Sequence, residues 1–198
     1  MKIEIRENTA TIEGYVNAVE RESRVLHGAD GDFIEVVKAG TFGRAISENK
    51  NIELRFNHRD ILGSTAKGDL ELKEDNIGLY AKAKITDINV IDKARKGELR
   101  GWSFGFVNKK AGWERNEPIR KRYLEEIELR EVSILDKTPA YIATSIEMRD
   151  ETESLVEHRL VEDEPEVEEM RENKEDKPSY FFAEKELELI KIKGGVVK

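Results

Sequence analysis

Apolar and polar residues alternate along six stretches of the first 148 positions: Met1 to Ile5, Thr11 to Ala18, Ile52 to Phe56, Gly78 to Ile85, Trp102 to Val107 and Tyr123 to Leu135. A period of two sends successive side chains to opposite faces, so each stretch predicts a β-strand. Turn residues such as His27-Gly28-Ala29-Asp30-Gly31 separate them. Two stretches have helical spacing instead. Thr41 to Asn49 follows Gly40, with Thr41 as the expected cap, and Asp87 to Leu99 places Ile88, Ile91, Ala94, Arg95 and Leu99 near one face before the pattern breaks around Gly101. The fold class read from this pattern is mainly β with helices, an α+β arrangement. The sequence shows no internal repeat and no phosphate-binding glycine loop.

Beyond residue 148 the pattern changes. Of the chain's 198 residues, 38% are apolar and 38% charged, too polar for one core running throughout. The segment Arg149 to Asp176 carries a net charge of −9 against −8 for the whole chain, leaving +1 for the rest. With Pro165 inside it and almost no aromatic residues, this segment is expected to be unpacked, disordered or a solvated helix, with a scaffold-like or partner-binding role as the functional reading. The apolar island Ser179-Tyr180-Phe181-Phe182-Ala183 and the run Leu187, Leu189, Ile190 and Ile192 predict a short strand or docking segment near the end. The division expected is therefore a domain over 1–148 and an acidic, flexible C-terminal extension over 149–198 with a short apolar end segment.

Charge and composition exclude several functions. A near-neutral core with an acidic tail disfavours nucleic-acid binding. The absence of cysteine rules out disulfides and thiolate metal sites, and no clustered ligand set points to a metal or other cofactor. No apolar run reaches the roughly 20 residues that span a bilayer, and the first residues lack a signal-peptide core, so a soluble intracellular protein is expected with no membrane partner.

Few residues remain for nucleophilic chemistry. Ser103 lies in Gly101-Trp102-Ser103-Phe104-Gly105-Phe106, and His58 in Asn57-His58-Arg59-Asp60 at the end of a strand. The Gly-x-Ser-x-Gly string invites a nucleophile elbow, but an elbow needs a helix after the serine, and the residues after Ser103 are strand-like. A histidine-before-serine order fits better: neutral His58 would take the Ser103 proton as acyl transfer begins and return it to the leaving amine. His27 lies in a turn and His158 in the tail, so their claims are weaker. Glu131 shares strand parity with Ile127, Leu129 and Leu135, which sets a carboxylate among apolar neighbours in need of a partner; it is the expected orienter of His58. Asp136 and Glu126 are the alternatives.

Gly14-Tyr15, Gly40-Thr41-Phe42, Phe56-Asn57-His58, Ile61-Leu62-Gly63, Asp75-Asn76-Ile77-Gly78-Leu79, Gly101 to Phe106, Leu129 to Ser133 and Thr138-Pro139-Ala140-Tyr141 occur in one order. Together, over roughly residues 10 to 148, they resemble the prohead maturation proteases of tailed bacteriophages. The resemblance implies a fold like the herpesvirus assemblins, a closed β-barrel wrapped by helices, and possession of the family's histidine and serine at His58 and Ser103. Herpesviral relatives have a second histidine as third member; here the phage-type acidic member maps to Glu131. The amides around Phe104 and Gly105 are the chemical choice for stabilising an oxyanion. By the same resemblance the substrates are scaffold protein or the scaffold-like arm of the major capsid protein, cut inside the assembling prohead in the host cytoplasm, with the extension as a further substrate of the enzyme itself. Similarity to the assemblins also implies a homodimer. Two other functions compete: an inactive scaffold or capsid-binding protein on the same barrel, and an unrelated cytosolic serine esterase or peptidase.

Overall fold

The computed structural model describes residues 1–28, 30–114, 119–136, 146–147, 156–162 and 166–169. Its strands are β1 (Lys2–Arg6), β2 (Thr9–Ala18), β3 (Leu26–Gly28), β4 (Gly31–Val37), β5 (Glu53–Phe56), β6 (Asp60–Ser64), β7 (Leu70–Glu74), β8 (Gly78–Ile85), β9 (Gly101–Glu114), β10 (Arg120–Leu135), β11 (Ile146–Glu147), β12 (Val156–Glu162) and β13 (Glu166–Glu169). Two helices, α1 (Thr41–Glu48) and α2 (Ile88–Arg95), accompany them. The mainly β, α+β reading therefore holds.

The described strands form two sheets. One runs β13-β1-β2-β8-β7, the other β11-β12-β9-β10-β4-β3. β10 organises the second: one edge pairs with β9, while the other pairs in parallel with β4 along Arg120 to Leu124 and with β5 along Glu131 to Ile134. β6 folds back on β5 as a hairpin. Closure of these strands into one barrel is not among the described pairings.

Alternation explains the layers. Ile3, Ile5, Ala10, Ile12, Leu79, Ala81, Ala83 and Ile85 from the first sheet face Trp102, Phe104, Phe106, Val132 and Ile134 from the second in one buried cluster. Phe42 of α1 meets Phe104 edge-on at 5.3 Å between ring centres, and each such fully buried side chain stabilises the fold by about 1.5 to 3 kcal/mol. From Gly101 to Phe106 every residue is buried. The large residues of that run fill the core, while Gly101, Ser103 and Gly105 lie on the opposite face and leave space there.

Both helices differ from the sequence reading at one end. α1 is entered from Gly40 in the left-handed region (φ 86) with no side-chain cap. Thr41 is the first helical residue, and its hydroxyl is spent on the carbonyls of Leu124 and Glu125. In α2, Asp87 does cap, accepting from the amides of Asn89 and Val90, worth about 1 kcal/mol. The helix stops at Arg95 rather than Leu99, because Gly97 turns left-handed (φ 65) and carries Leu99 into the core by a loop. Strands β3, β4, β6 and β7 lie where the sequence reading placed only turns or nothing.

Within 149–198, β12 pairs antiparallel with β9 and β13 pairs parallel with β1. Both strands fall within Arg149 to Asp176, the stretch expected to stay unpacked, and the rest of 149–198, including the expected apolar end segment, lies outside the described residues. Among the described residues no helix is long and apolar enough to cross a membrane.

Candidate active site

The β5–β6 turn carries His58. Asn57 and His58 both have positive φ (51 and 62), and the Arg59 amide donates to the Phe56 carbonyl, as a tight hairpin turn of the right-handed-twist type requires. Asparagine accepts this conformation readily, but a histidine held there costs on the order of 1 kcal/mol, and β10 holds it there. The Asn57 amide donates to the Ile134 carbonyl, and its side chain donates to Asp136 Oδ1 at 2.8 Å while accepting from the Asp136 amide.

The turn sets the His58 ring against Glu131, with Nδ1 2.5 Å from Oε1. Glu131 is 4% exposed and is held on its other side by Arg55, whose Nε lies 2.9 Å from Oε2. Arg55 also donates to the His58 carbonyl. Ser133 Oγ adds a longer bond to Oε1 at 3.4 Å. Burial pushes the Glu131 carboxyl up, but polar contact and charge from His158 and His58 outweigh it and hold the group down at about 2. An ionised carboxylate only accepts, so His58 Nδ1 carries the proton and Nε2 is left as the basic nitrogen. Nε2 has no hydrogen-bond partner among the described residues.

A β-bulge aims Glu131. Across β9 and β10, Leu129 stands opposite Phe106 but Glu131 stands opposite Gly105, with an irregularity between them. The extra residue reverses parity, so Leu129, Val132 and Ile134 face the core while Glu131 and Ser133 face the other way. The parity shared with Ile127 and Leu129 in the sequence reading is therefore broken at this point: Glu131 is beside His58 because of the bulge. Of the alternatives, Asp136 ties down Asn57 and receives Lys93 at 2.8 Å, and Glu126 pairs at the surface with Arg44. The carboxylate hydrogen-bonded to the His58 ring is that of Glu131.

Ser103 occupies the same face of β9 as Gly105, directly opposite Ser133 on β10. Its side chain is buried, and Oγ donates not to His58 but to the Arg159 carbonyl of β12 at 2.6 Å. The structure thus brings His58 and Glu131 into contact and places Ser103 one residue pair further along the same face. The amides of Phe104 and Gly105 lie within the ladder between β10 and β12.

His158 is the largest departure from the sequence reading, which set it aside as a tail residue. β12 puts it opposite Gly105. Its ring centre lies 4.2 Å from that of His58, and its Nδ1 lies 3.2 Å from Glu131 Oε1, within ion-pair range but without hydrogen-bond alignment. Gly105 makes this possible, since a Cβ there would stand 2.8 Å from Glu131 Cγ and 2.9 Å from the His158 ring. His58, Glu131 and His158 bring three possible metal-ligand atoms within 4.8 Å of one another, a cluster that sequence spacing did not reveal. Both histidine Nδ1 atoms approach the same carboxylate oxygen, but only His58 is hydrogen-bonded to it, and His158 Nδ1 is buried without a hydrogen-bond partner among the described residues. His27, by contrast, lies away from this group, paired with Asp32 on an exposed strand end.

Sequence reasoning missed Arg55, Gly105 and His158. Arg55 offered a signal, a cation alternating with buried Leu54 and Phe56 on the strand that leads to His58. A model of the family described as caudovirus prohead serine protease matches residues 1–159. No curated protein and no solved structure matches the chain.

Proposed function

Since the chain belongs to the caudovirus prohead serine protease family and is a serine-type peptidase of capsid maturation, we propose that it cuts scaffold protein, or the scaffold-like arm of the major capsid protein, with Ser103 as nucleophile. The observation that carries this reading is the contact of His58 Nδ1 with the buried carboxylate of Glu131, on the face of the sheet where Ser103 stands. Glu131 orients the ring and stabilises its cationic form. His58 Nε2 takes the Ser103 proton as Oγ adds to the substrate carbonyl, then delivers it to the leaving amine; water completes hydrolysis of the acyl-enzyme.

Residues 1–148 are the catalytic unit of this proposal, and 149–198 an extension that lends β12 and β13 to its sheets. The two sheets are the halves of a herpesvirus-protease-like barrel, a reading supported by the packing of β2 against β9. The enzyme acts inside the assembling prohead in the host cell, on the capsid protein and on its own extension, and a homodimer fits the assemblin likeness. The alternative, an inactive scaffold on the same framework, needs no buried carboxylate against a histidine. Co-expression with the cognate major capsid protein, followed by intact-mass measurement, tests the proposal. Capsid protein shortened by wild type and left whole by Ser103→Ala supports it; identical masses in both overturn it.

A further inference from the structure

β12 lies on β9 as an added antiparallel strand, the way an extended peptide joins a sheet edge. Its two faces have different surroundings. His158 points toward Glu131 and His58, whereas Glu157 and Arg159 point to the opposite face. There the Arg159 guanidinium is gripped by Glu35, with Nε to Oε1 at 2.6 Å and Nη2 to Oε2 at 2.7 Å. Arg122 grips Glu157 in the same two-point manner at 2.6 and 2.8 Å. All four side chains are buried.

Glu35 and Arg122 belong to β4 and β10, within the catalytic unit, while Glu157 and Arg159 arrive with the strand. Without β12, Glu35 keeps only a 3.4 Å contact to Arg122, and Arg122 loses its carboxylate fork. A buried charge without a full partner is costly, so the vacated site demands a cation against Glu35 and an anion against Arg122. The backbone completes the arrangement: the carbonyl of the residue seated on Glu35 is the one that receives the Ser103 hydroxyl.

We propose that β12 occupies the substrate-strand position, that Glu35 selects a basic residue whose carbonyl is presented to Ser103, and that the enzyme cuts its own chain between Arg159 and Leu160. This rests on Ser103 being the nucleophile. The recognition element is Glu-x-Arg, with Arg122 receiving the glutamate. The sequence beyond residue 130 holds three arginines, Arg149, Arg159 and Arg171, and each stands two places after a glutamate, Glu147, Glu157 and Glu169. In the reaction Ser103 Oγ bonds to the Arg159 carbonyl carbon and its proton passes to His58. The bond to the Leu160 nitrogen breaks as that nitrogen takes the proton, and water then releases Arg159 as a carboxylate and restores the serine.

The test uses the full chain and a synthetic peptide with the sequence of residues 153–164. Wild type should yield a fragment ending at Arg159, with any further cuts after Arg149 or Arg171, and Ser103→Ala should yield none. In trans, the peptide should be cut about 100-fold faster than its counterpart with glutamine in place of the arginine, and lysine there should restore most of the rate. Glu35→Gln should bring that arginine-to-glutamine ratio close to one. Ser103-dependent cuts at other bonds, an unchanged ratio in Glu35→Gln, or an intact tail and peptide while capsid protein is cleaved would each overturn the proposal and leave the protease reading standing. Cleavage that survives in Ser103→Ala would strike the protease assignment itself. The positions of the wild-type cuts decide the matter even if Glu35→Gln fails to fold.

Discussion

Glu131 and His58 are 73 residues apart in sequence, yet Oε1 of one lies 2.5 Å from Nδ1 of the other. This contact fixes which ring nitrogen is basic, and so which direction a proton can travel. Replacing His58 or Ser103 by alanine should therefore lower the rate of capsid-protein cleavage by on the order of 10⁴-fold or more. Both variants should keep the wild-type circular dichroism spectrum, since neither residue contributes to the apolar cluster. Wild-type rates in either would remove that residue from the mechanism.

Glu131→Gln and Asp136→Asn separate the orienting carboxylate from the one that tethers the turn. The first leaves His58 without an ionised partner, and a loss of about 10⁴ in kcat is expected. The second retains an oxygen to accept from Asn57, so its kcat should stay within about tenfold of wild type. A reversed ranking in single-turnover assays would transfer the role to Asp136.

Gly105→Ala tests the packing around the carboxylate. The added methyl would overlap Glu131 Cγ and the His158 ring, neither of which can retreat far inside the sheet. Overpacking of this kind costs about 1 to 3 kcal/mol, so a lower denaturation midpoint should accompany the loss of activity. Unaltered stability and turnover would mean that the two side chains have room that their positions do not indicate.

The ionisation of Glu131 links stability to pH. Its carboxyl is held at about 2 in the folded chain against an ordinary value of 4.5, so it stabilises the fold fully above pH 4.5 and loses that contribution as pH falls through about 2. The shift corresponds to at most about 3 kcal/mol. Urea unfolding of wild type and Glu131→Gln at several pH values should show a gap that narrows steadily below pH 4.5. A gap that stays constant from pH 7 to pH 2.5 would show that the carboxylate is not stabilised by its neighbours.

Much of the framework was legible because strand periodicity is local. The stretches around β1, β2, β5, β8, β9 and β10 each announced themselves by alternation, and Ser103 and His58 were singled out by scarcity of other nucleophiles and bases. Strand parity with Ile127 and Leu129 points to Glu131, yet the bulge at Leu129 to Glu131 undoes that parity, because a bulge is set by pairing with β9 and leaves no mark in a single strand's pattern. His158 and Arg159 were hidden by composition. An acidic, proline-containing neighbourhood reads as unpacked, and only the partners waiting on β9, β4 and β10 give those two residues a place. Arg55 lies in plain view as a cation on a buried strand, but of its partners Glu53, His58 and Glu131 only the first two are near it in sequence, and the third comes from β10.

The parallel pairing of β5 with β10 also has a consequence in time. During synthesis His58 on the β5–β6 hairpin and Ser103 on β9 both leave the ribosome before the strand that bears Glu131, and β5 cannot complete its pairing with β10 until Ile134 has emerged. Pairing over such a separation forms late, since a long loop must close first. On the mechanism proposed above, a nascent or half-folded chain thus carries His58 and Ser103 unassembled, harmless to whatever surrounds it, and becomes a cutting tool only once β10 is in place.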